Sequence, residues 1–427
     1  MKKIRILAAF VLMLCVISSA QAQDVPQNYK GKTRVTMGAF GTVSSLCIFD
    51  DFEREGALTK YDRVWENIKQ ILEGIDLLLS TSIETSEIAR FNTLAAGESM
   101  EISQMTAEVF MMARAIYEKT NGYFDPTVFP LVDLWGFSPR FTFGTDTVMP
   151  YDRAWEDGTR ALPEEKYIEG FLQLVNMDGI VLSGDAQTGY TLHKNTPSVV
   201  IDGIAYPAQI DLGGIAKGYA ADLVAQLLED EGYEYGYFSC GSSSIRLLKN
   251  ASNVAKKAND PAFSLQVRIP RETQDNTQTY AHIRVMNQAL SSSGDYDNNY
   301  VAGGNICSHI INPFTGYPLN YTTSGVQGGV STVTLLSGSA MEDDALTTSL
   351  CLMGIQGAID YVNRNLREHS VTMVVYRADK EFYEVVTNIP DGELDILDVA
   401  YQRASMLDEH GNIVYNGTLF AEQLRKE

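Results

Sequence analysis

The first third of the chain predicts two amphipathic helices. Between residues 61 and 79, apolar side chains recur every three or four positions, at Val64, Ile68, Ile71, Leu72, Ile75 and Leu78. This spacing places them on one face of a helix. A second helix is predicted over 103–120, and the Asn-Gly pair at 121–122 gives it a stop signal. Both helices have an apolar face to bury, so we expect a core.

Strand patterns alternate with the helices. β-branched residues predict extended structure over 33–49, interrupted by Gly38 and Gly41. A strand is also predicted in YEYGYFSC (233–240), after a helix that begins at Ile215. Three shorter strands are predicted before that helix, near 178–183, 189–193 and 198–201.

The segments between these elements have the composition of loops. Residues 122–137 are rich in aromatic residues and prolines, which predicts an ordered loop that lines a site, and 138–170 carry Gly, Pro, Asp and Thr in loop proportions. Two polar stretches, 249–263 and 272–279, are interpreted as surface insertions. Without repeats or linkers, the pattern predicts a single mixed α/β (α+β) domain with insertions over 23–427.

The first 22 residues are typical of a secretory signal peptide. Basic residues at 2, 3 and 5 precede an apolar run, and Ala20-Gln21-Ala22 ends it with small residues at the cleavage positions. We therefore expect an exported protein, periplasmic or on the outer face of the cytoplasmic membrane of a bacterium. Leu14 precedes Cys15 where a lipoprotein site would have a small residue, which disfavours a lipid anchor.

Composition narrows the classes of partner. The formal net charge is −21, which repels nucleic acid and anionic lipid headgroups, so we expect neither as a partner. After the signal peptide, four cysteines remain without close spacing, and we interpret them as buried thiols: Cys47, Cys240, Cys307 and Cys351. The five histidines are scattered and form no zinc-binding pattern.

The segment DLGGIAKGYAAD (211–222) is the first candidate for chemistry. A strand that ends at Ile210, a Gly-Gly turn and a helix would direct backbone N–H groups and the positive helix end towards an anion. Lys217 adds a point charge in the first turn. Alone, this segment fits a structural strand-to-helix turn better than a ligand site, because it matches neither common phosphate-binding glycine pattern.

The segment SAMEDDALTTSLCLMG (339–354) is the second candidate. Asp344 and Thr348 are four residues apart, so on a helix their oxygens lie on the same side and form a hard-oxygen set that suits Mg²⁺. The alternative is that the acidic residues 342–344 only complement the helix dipole. On this segment alone, the alternative is favoured.

Two further segments carry weaker signals. His309 follows a predicted hairpin and precedes a Pro-Phe-Thr-Gly turn, which positions it well, although a single histidine at a strand end is more often structural. CGSSSI (240–245) lacks the surroundings of a nucleophilic serine, so a serine hydrolase is disfavoured.

Together, several stretches resemble the FAD:protein FMN transferase family, also called the ApbE-like or thiamine-biosynthesis lipoprotein family. They are TMGAFGT, GYFDPTVFPLVDLWGF, DLGGIAKGYAAD, SHIINPFTGYPL and DDALTTSLCLMG, in this order between Thr36 and Gly354. The resemblance implies one α/β domain that binds FAD and Mg²⁺ and transfers FMN to a Thr or Ser of an exported protein, with release of AMP. A membrane would be involved only through lipidation or a membrane-bound target.

The resemblance also implies roles for individual residues. Metal ligands would be the backbone of Gly214 and the side chains of Asp344 and Thr348, with Asp344 also counted as catalytic and His309 as the general base for the target hydroxyl. Contacts to FAD map to Met37, Tyr123, Phe124, Asp125, Asp211, Lys217 and Ile310.

Departures from the family pattern leave alternatives open. Ser82 stands where the family commonly has an aromatic residue, so we expect that contact with the ligand to be lost, and Asn312 replaces a usual Asp. The strand that usually ends in GGNI or GGDI in the family ends in CGSSSI here. A Mg²⁺-dependent FAD pyrophosphatase that forms FMN and AMP shares every motif, and a flavin-binding protein without catalysis is the third reading.

Overall fold

The structure is a computed structural model that describes most of the chain after residue 27. The described ranges are 28–138, 155–156, 159–160, 162–248, 263–268, 279–285, 288–296, 298–319, 329–375 and 383–415. The predicted signal peptide, Cys15 and most of the two predicted insertions lie outside them.

Eight helices occur in the described residues. They are α1 (Ala57–Leu79), α2 (Glu87–Thr93), α3 (Gln104–Lys119), α4 (Phe129–Leu134), α5 (Glu165–Leu172), α6 (Gly213–Asp230), α7 (Ala340–Leu352) and α8 (Gly354–Asn365). Short 3-10 turns occupy Ala39–Gly41, Pro126–Val128 and Met177–Gly179. The two helices predicted from periodicity are confirmed as α1 and α3. Ser103 caps α3, since its hydroxyl accepts a hydrogen bond from the N–H of Thr106.

The described strands are short. In chain order they are β1 (Lys30–Met37), β2 (Val43–Asp50), β3 (Ser99–Ile102), β4 (Trp155–Glu156), β5 (Thr159–Arg160), β6 (Ile180–Asp185), β7 (Gly189–Lys194), β8 (Val199–Ile201), β9 (Ile204–Tyr206), β10 (Gly236–Cys240), β11 (Ser244–Leu247), β12 (Phe263–Arg268), β13 (Thr279–Val285), β14 (Ala289–Gly294), β15 (Asn299–Ala302), β16 (Asn305–Ser308), β17 (Val330–Ser337), β18 (Ser370–Val375), β19 (Tyr383–Thr387), β20 (Leu394–Ile396), β21 (Tyr401–Arg403), β22 (Ser405–Leu407) and β23 (Ile413–Tyr415).

A nine-stranded sheet forms the centre of the molecule. Its order is β1-β2-β10-β11-β14-β17-β18-β19-β21. Neighbouring strands are antiparallel except for β19 and β21, which are parallel. A three-stranded sheet, β12-β13-β20, accompanies it. The prediction of a mixed α/β fold is confirmed.

The large sheet is covered on both faces. Strand β2 shows this directly, because Leu46 and Ile48 face the main core with the helices, while Cys47 between them faces a second core with β12, β13 and β20. Helices α6 and α7 pack against each other, α6 also against β10 and β11, and α7 also against β14 and β17. A third apolar cluster forms around α4, α5 and strands β8, β9, β15 and β16.

Three sequence predictions need correction. Residues 122–137 are not only a loop, because they contain the 3-10 turn and α4, whose first turn accommodates Pro130. Residues 165–170 of the predicted loop belong to α5, which buries Tyr167, Ile168 and Phe171 on one face. Helix α6 begins at Gly213, two residues earlier than predicted.

Other expectations about the chain agree with the structure. The four cysteines after the signal peptide are all buried, as predicted. Among the described residues, no helix combines the length and apolarity needed to span a bilayer.

Candidate active site

A cavity of about 400 Å³ brings together most of the residues singled out from the sequence. It lies where the first turn of α6, helix α7, the segment 123–137 and the turn after β16 meet. Ten of the eleven predicted site residues line it: Tyr123, Phe124, Asp125, Asp211, Gly214, Lys217, His309, Ile310, Asp344 and Thr348. Met37 does not line it, and this residue is 55% exposed at the end of β1.

The turn before α6 is held by backbone contacts. The N–H of Asp211 donates to the carbonyl of Pro126 at 2.9 Å, and its carboxylate accepts from the N–H of Gly213 at 2.8 Å. Burial raises the pKa of Asp211, while that N–H and Lys217 lower it. The turn therefore presents a carboxylate and the N-terminus of α6 to the same cavity.

Two residues that sequence reasoning missed support this turn. The side-chain amide of Asn92 pairs with the backbone of Ile210: its oxygen accepts from the N–H at 2.8 Å and its nitrogen donates to the carbonyl at 2.9 Å. Behind it, the fully buried Lys194 donates to the carbonyls of Asn92 and Leu94. Burial lowers the pKa of Lys194 to about 8. Only the tertiary fold, across 118 residues, reveals the contact between Asn92 and Ile210.

Lys217 and Asp344 form the charged centre of the cavity. The ammonium of Lys217 lies 3.7 Å from a carboxylate oxygen of Asp344, which also accepts the N–H of Gly218 at 3.1 Å. Asp344 is 3% exposed, and burial raises its pKa against the opposing effects of Lys217 and Gly218. The two sequence candidates at α6 and α7 are thus one site.

A further missed residue fixes α7 against α6. The carboxylate of Asp222 accepts the N–H groups of Ala340 and Met341 at 3.0 Å each and the hydroxyl of Ser339 at 2.9 Å. Arg246 lies 3.3 Å from the same carboxylate. Asp222 therefore caps the N-terminus of α7, the helix that carries Asp344. Its position as the last residue of the 211–222 segment was the available signal.

The hydroxyl residues Ser293 and Thr348 line the cavity together with Asp344. The hydroxyl of Ser293 lies 2.9 Å from that of Thr347 and 3.1 Å from that of Thr348. No group of three or more His, Cys, Asp or Glu side chains in the described ranges could hold a metal. Asp344, Thr348 and Gly214 nevertheless all line the cavity, and their carboxylate, hydroxyl and backbone oxygens are donors of the kind that suits Mg²⁺, which commonly completes its coordination with water and ligand phosphates.

The opposite wall is mainly apolar and aromatic. A Cβ at Gly214 would come within 3.2 Å of the Phe124 ring, so this glycine permits close packing of α6 on the wall. Tyr123 packs edge-on against Phe314, with ring centroids 5.0 Å apart. Burial raises the pKa of Asp125 to about 6, although its carboxylate accepts the N–H and the hydroxyl of Thr127.

His309 is positioned by the hairpin of β15 and β16. Its ring Nδ1 lies 3.3 Å from the carbonyl oxygen of Asn298, and its backbone N–H donates to the same oxygen. Because a carbonyl only accepts, Nδ1 carries the proton in this contact, and the neutral ring then has its lone pair on Nε2. The ring of Phe137 lies edge-on at 6.4 Å between centroids. This orientation suits a proton acceptor at the cavity.

The departures seen in the sequence also have structural counterparts. Ser82 is not among the residues that line the cavity, and its hydroxyl lies 3.0 Å from that of Ser80. Asn312 accepts the N–H groups of Phe314 and Thr315, so its amide oxygen supplies the turn acceptor. Of CGSSSI, Gly241 and Ser243 line the cavity.

These features define a class: an α/β protein whose cavity offers a cation, a helix N-terminus and a buried carboxylate beside an aromatic wall. A model of the ApbE family matches residues 40–373. Because this range covers most of the chain, the protein belongs to the ApbE family.

Curated relatives agree with this assignment. The chain is 28% identical to the FAD:protein FMN transferase of Escherichia coli strain K12 over 346 residues, which cover 81% of this chain and 83% of that protein. It is 29% identical to the FAD:protein FMN transferase of Salmonella typhimurium over 360 residues, 84% and 87% of the two chains.

Solved structures share the fold. A mutant form of the flavin transferase ApbE from Vibrio cholerae superposes with a TM-score of 0.63 at 25% identity and covers 84% of this chain and 97% of its own. The ApbE protein of Thermotoga maritima gives a TM-score of 0.59 at 23% identity, over 82% and 97% of the two chains.

Proposed function

We propose that this protein transfers the FMN part of FAD to a Thr or Ser of an exported protein and releases AMP, with dependence on Mg²⁺. The observation that carries the proposal is the cavity, which unites the Lys217–Asp344 pair, the N-terminus of α6, an aromatic wall and His309. The curated relatives named FAD:protein FMN transferase support the same reaction. The predicted signal peptide supports an exported or periplasmic location.

The polar side of the cavity suits the pyrophosphate of FAD. The first turn of α6 brings the positive end of the helix to the cavity, where it attracts an anion, and Lys217 adds a full charge. Asp344, Thr348 and the backbone at Gly214 would hold Mg²⁺. When bound, the ion supplies further neutralisation of charge on the transferred phosphoryl group.

His309 is the proposed proton acceptor. The target hydroxyl oxygen attacks the phosphorus on the FMN side of the pyrophosphate, a new phosphoester bond forms, and the bond from that phosphorus to the bridging oxygen breaks. AMP leaves with the bridging oxygen, and Nε2 of His309 takes the hydroxyl proton. The contact of Nδ1 with the Asn298 carbonyl favours the tautomer that this step needs.

The test is mass spectrometry of the protein from residue 23 onward with FAD, Mg²⁺ and a co-expressed candidate acceptor protein with a Ser or Thr site. We expect one FMN added to the acceptor and an equal amount of AMP. His309→Gln and Asp344→Asn should each remove the adduct, whereas the exposed Asp360→Asn, on α8, should not. Free FMN and AMP with an unmodified acceptor would instead support the pyrophosphatase, and bound but intact FAD would support a binding protein.

A further inference from the structure

Phe40 has an unusual backbone conformation in the 3-10 turn after β1. Its φ is 57° and its ψ is 17°, in the left-handed region that large side chains rarely occupy. Gly38 and Gly41 on either side also have positive φ, of 135° and 62°. The turn is closed by hydrogen bonds from Gly41 to Gly38 and from Thr42 to Ala39. A glycine at position 40 would adopt this geometry without the cost of a Cβ.

This strained residue lies at the candidate site. Phe40 is half-buried, packs against the main core and lines the same cavity as Lys217 and Asp344. Uncommon backbone conformations of this kind concentrate where a side chain must be placed for binding or catalysis. A bulky aromatic residue in this conformation, at a cavity wall, therefore points to a role in ligand contact.

The wall next to Phe40 leads to the cationic end of the cavity. Thr42 also lines the cavity, and a Cβ at Gly241 would lie 3.0 Å from the Thr42 hydroxyl and 3.4 Å from Cδ of Lys217. The wall that begins at Phe40 thus continues through Thr42 and Gly241 to Lys217. A ligand whose phosphates contact Lys217 has this wall within reach.

The other aromatic residues of the cavity lie on a different segment. Tyr123, Phe124 and Phe137 all come from 123–137, and Phe124 faces Gly214 in the first turn of α6. Among the described lining residues, Phe40 is the one aromatic side chain of the Phe, Tyr and Trp types from outside that segment. The first turn of α6 therefore contacts the segment 123–137 at Gly214 and, at Lys217, lies beside the wall that begins at Phe40.

FAD has the matching chemistry, because a pyrophosphate joins two flat ring systems. We propose that Phe40 is a ring-binding residue that packs against one of these two systems, the adenine or the isoalloxazine, while the segment 123–137 serves the other. The inference rests on the proposed use of FAD as substrate. It gives a reason for a large aromatic residue in a turn where glycine would fit with less strain.

Equilibrium binding by calorimetry tests the ring contact. Four proteins are compared: the wild type, Phe40→Leu, Phe40→Met and Phe40→Tyr. Each is titrated with FAD in the presence of EDTA, and separately with ADP and with FMN in the presence of Mg²⁺. Loss of the ring in the Leu and Met variants should lower the affinity for FAD about tenfold, which is the size of the effect when a base stacked on an aromatic side chain loses that contact. The Tyr variant keeps the ring and should bind within about twofold of the wild type. A loss of affinity for ADP alone would identify the adenine as the ring that Phe40 contacts, and a loss of affinity for FMN alone would identify the isoalloxazine.

Phe49→Ala is the matched control. Phe49 is also a half-buried phenylalanine near the N-terminus, but it packs beside the second core and does not line the cavity. This control should bind all three ligands like the wild type. Equal FAD affinity of the wild type and both non-aromatic variants would overturn the inference and leave the proposed function intact. A folded wild type that does not bind FAD would overturn both.

Thermal unfolding without ligand tests the strain separately. Alanine usually stabilises a chain relative to glycine, but at a positive φ the order reverses. We therefore expect Phe40→Gly to unfold at a higher temperature than Phe40→Ala. The opposite order would show that residue 40 does not hold the left-handed conformation and would remove the structural basis of the inference.

Discussion

At the scale of single residues, Asp344 is the carboxylate on which the candidate site depends. It is buried beside Lys217 and the N–H of Gly218, and we propose it as a ligand of Mg²⁺. In Asp344→Asn the amide oxygen can still accept the N–H of Gly218, while the charge is lost. We expect FMN transfer to fall by roughly 100-fold or more, as on removal of a key electrostatic group, and the Mg²⁺ concentration for half-activation to rise. Steady-state kinetics over a Mg²⁺ series measure both.

The same variant has an expected effect on stability. Because burial raises the pKa of Asp344, the folded protein disfavours the charged form at neutral pH. Asp344→Asn should therefore unfold at the wild-type temperature or above it, in the absence of ligand. An inactive variant with a much lower unfolding temperature would mean that Asp344 acts mainly in holding α6 and α7 together.

Asp125 predicts a dependence of stability on pH. Its pKa is about 6 in the folded protein, above its ordinary value of 3.8, so between these values the folded state binds more protons than the unfolded state. The free energy of unfolding should fall as pH rises through this range, by up to about 3 kcal/mol for this one group. Asp125→Asn removes the effect, so the wild type should lose stability relative to the variant between pH 4 and pH 7. Urea unfolding at several pH values measures the free energy of unfolding of both proteins. If the two plots of this free energy against pH were parallel, they would contradict the pKa of about 6 for Asp125.

The sequence identified ten of the residues that line the cavity, because they stand in short motifs with recognisable chemistry. It missed Asn92, Asp222 and Ser293, whose partners lie far away in the chain. Nothing local distinguishes such an Asn or Ser from a surface residue. Met37 also stands in a motif, but it does not line the cavity, so its contact with a ligand stays a prediction.

At the scale of elements, the close approach of α6 and α7 depends on Gly218. A Cβ at this position would lie 2.1 Å from the carbonyl oxygen of Ala340 and 2.6 Å from Cα of Met341, both backbone atoms that cannot rotate away. Gly218→Ala must therefore push the helices apart and disturb the Lys217–Asp344 pair. We expect a loss of about 2–4 kcal/mol in the free energy of unfolding, typical of severe core strain, together with loss of FMN transfer.

Gly74 offers a matched glycine in a helix interior. It lies in α1, and a Cβ there would meet nothing within 4 Å. Gly74→Ala should stabilise the protein by about 0.5–1 kcal/mol, because alanine is the better helix former. Denaturant unfolding of the two variants should thus shift the midpoint in opposite directions. A midpoint of Gly218→Ala that stays the same or rises would show that the contact between α6 and α7 is looser than the structure indicates, whereas a lower midpoint of Gly74→Ala would show that position 74 is crowded.

The long helices followed from apolar periodicity, and the short ones did not. Helices α1 and α3 repeat the pattern over several turns, which separates it from chance. Helix α4 has six residues with a proline in its first turn, and α5 has eight, too few for a clear period. Their stability comes from packing with the third apolar cluster, which the sequence does not display.

At the scale of the whole molecule, the buried thiols report global unfolding. Cys47, Cys240, Cys307 and Cys351 are all buried, and burial raises the pKa of Cys240 to about 11 and that of Cys351 as well. A thiol reagent attacks the thiolate, so the folded chain from residue 23 onward should react at none of the four within minutes. In denaturant, all four should react. Fast reaction of one native thiol, located by peptide mapping, would reveal local opening at that strand or helix.

The order of the central sheet could not be predicted from local patterns. Strand β14 pairs with β11 and β17, and β10 joins β2, although long segments separate these strands in the chain. The alternation of side chains along β2 indicates which of its residues face opposite cores. It does not indicate which strand pairs with β2. The alternation of helix and strand patterns predicted the fold class, and only the structure shows which strands are neighbours.

The separation of Lys217 and Asp344 has a consequence for biosynthesis. The N–H of Gly218 and its carboxylate partner are 126 residues apart, and Thr42, at the start of the chain, lines the same cavity. A ribosome must complete α7 before any FAD site can exist, and a chain kept unfolded for translocation has none. If the chain is threaded unfolded through a membrane, it leaves the cytoplasm without carrying FAD, and must find its dinucleotide on the far side.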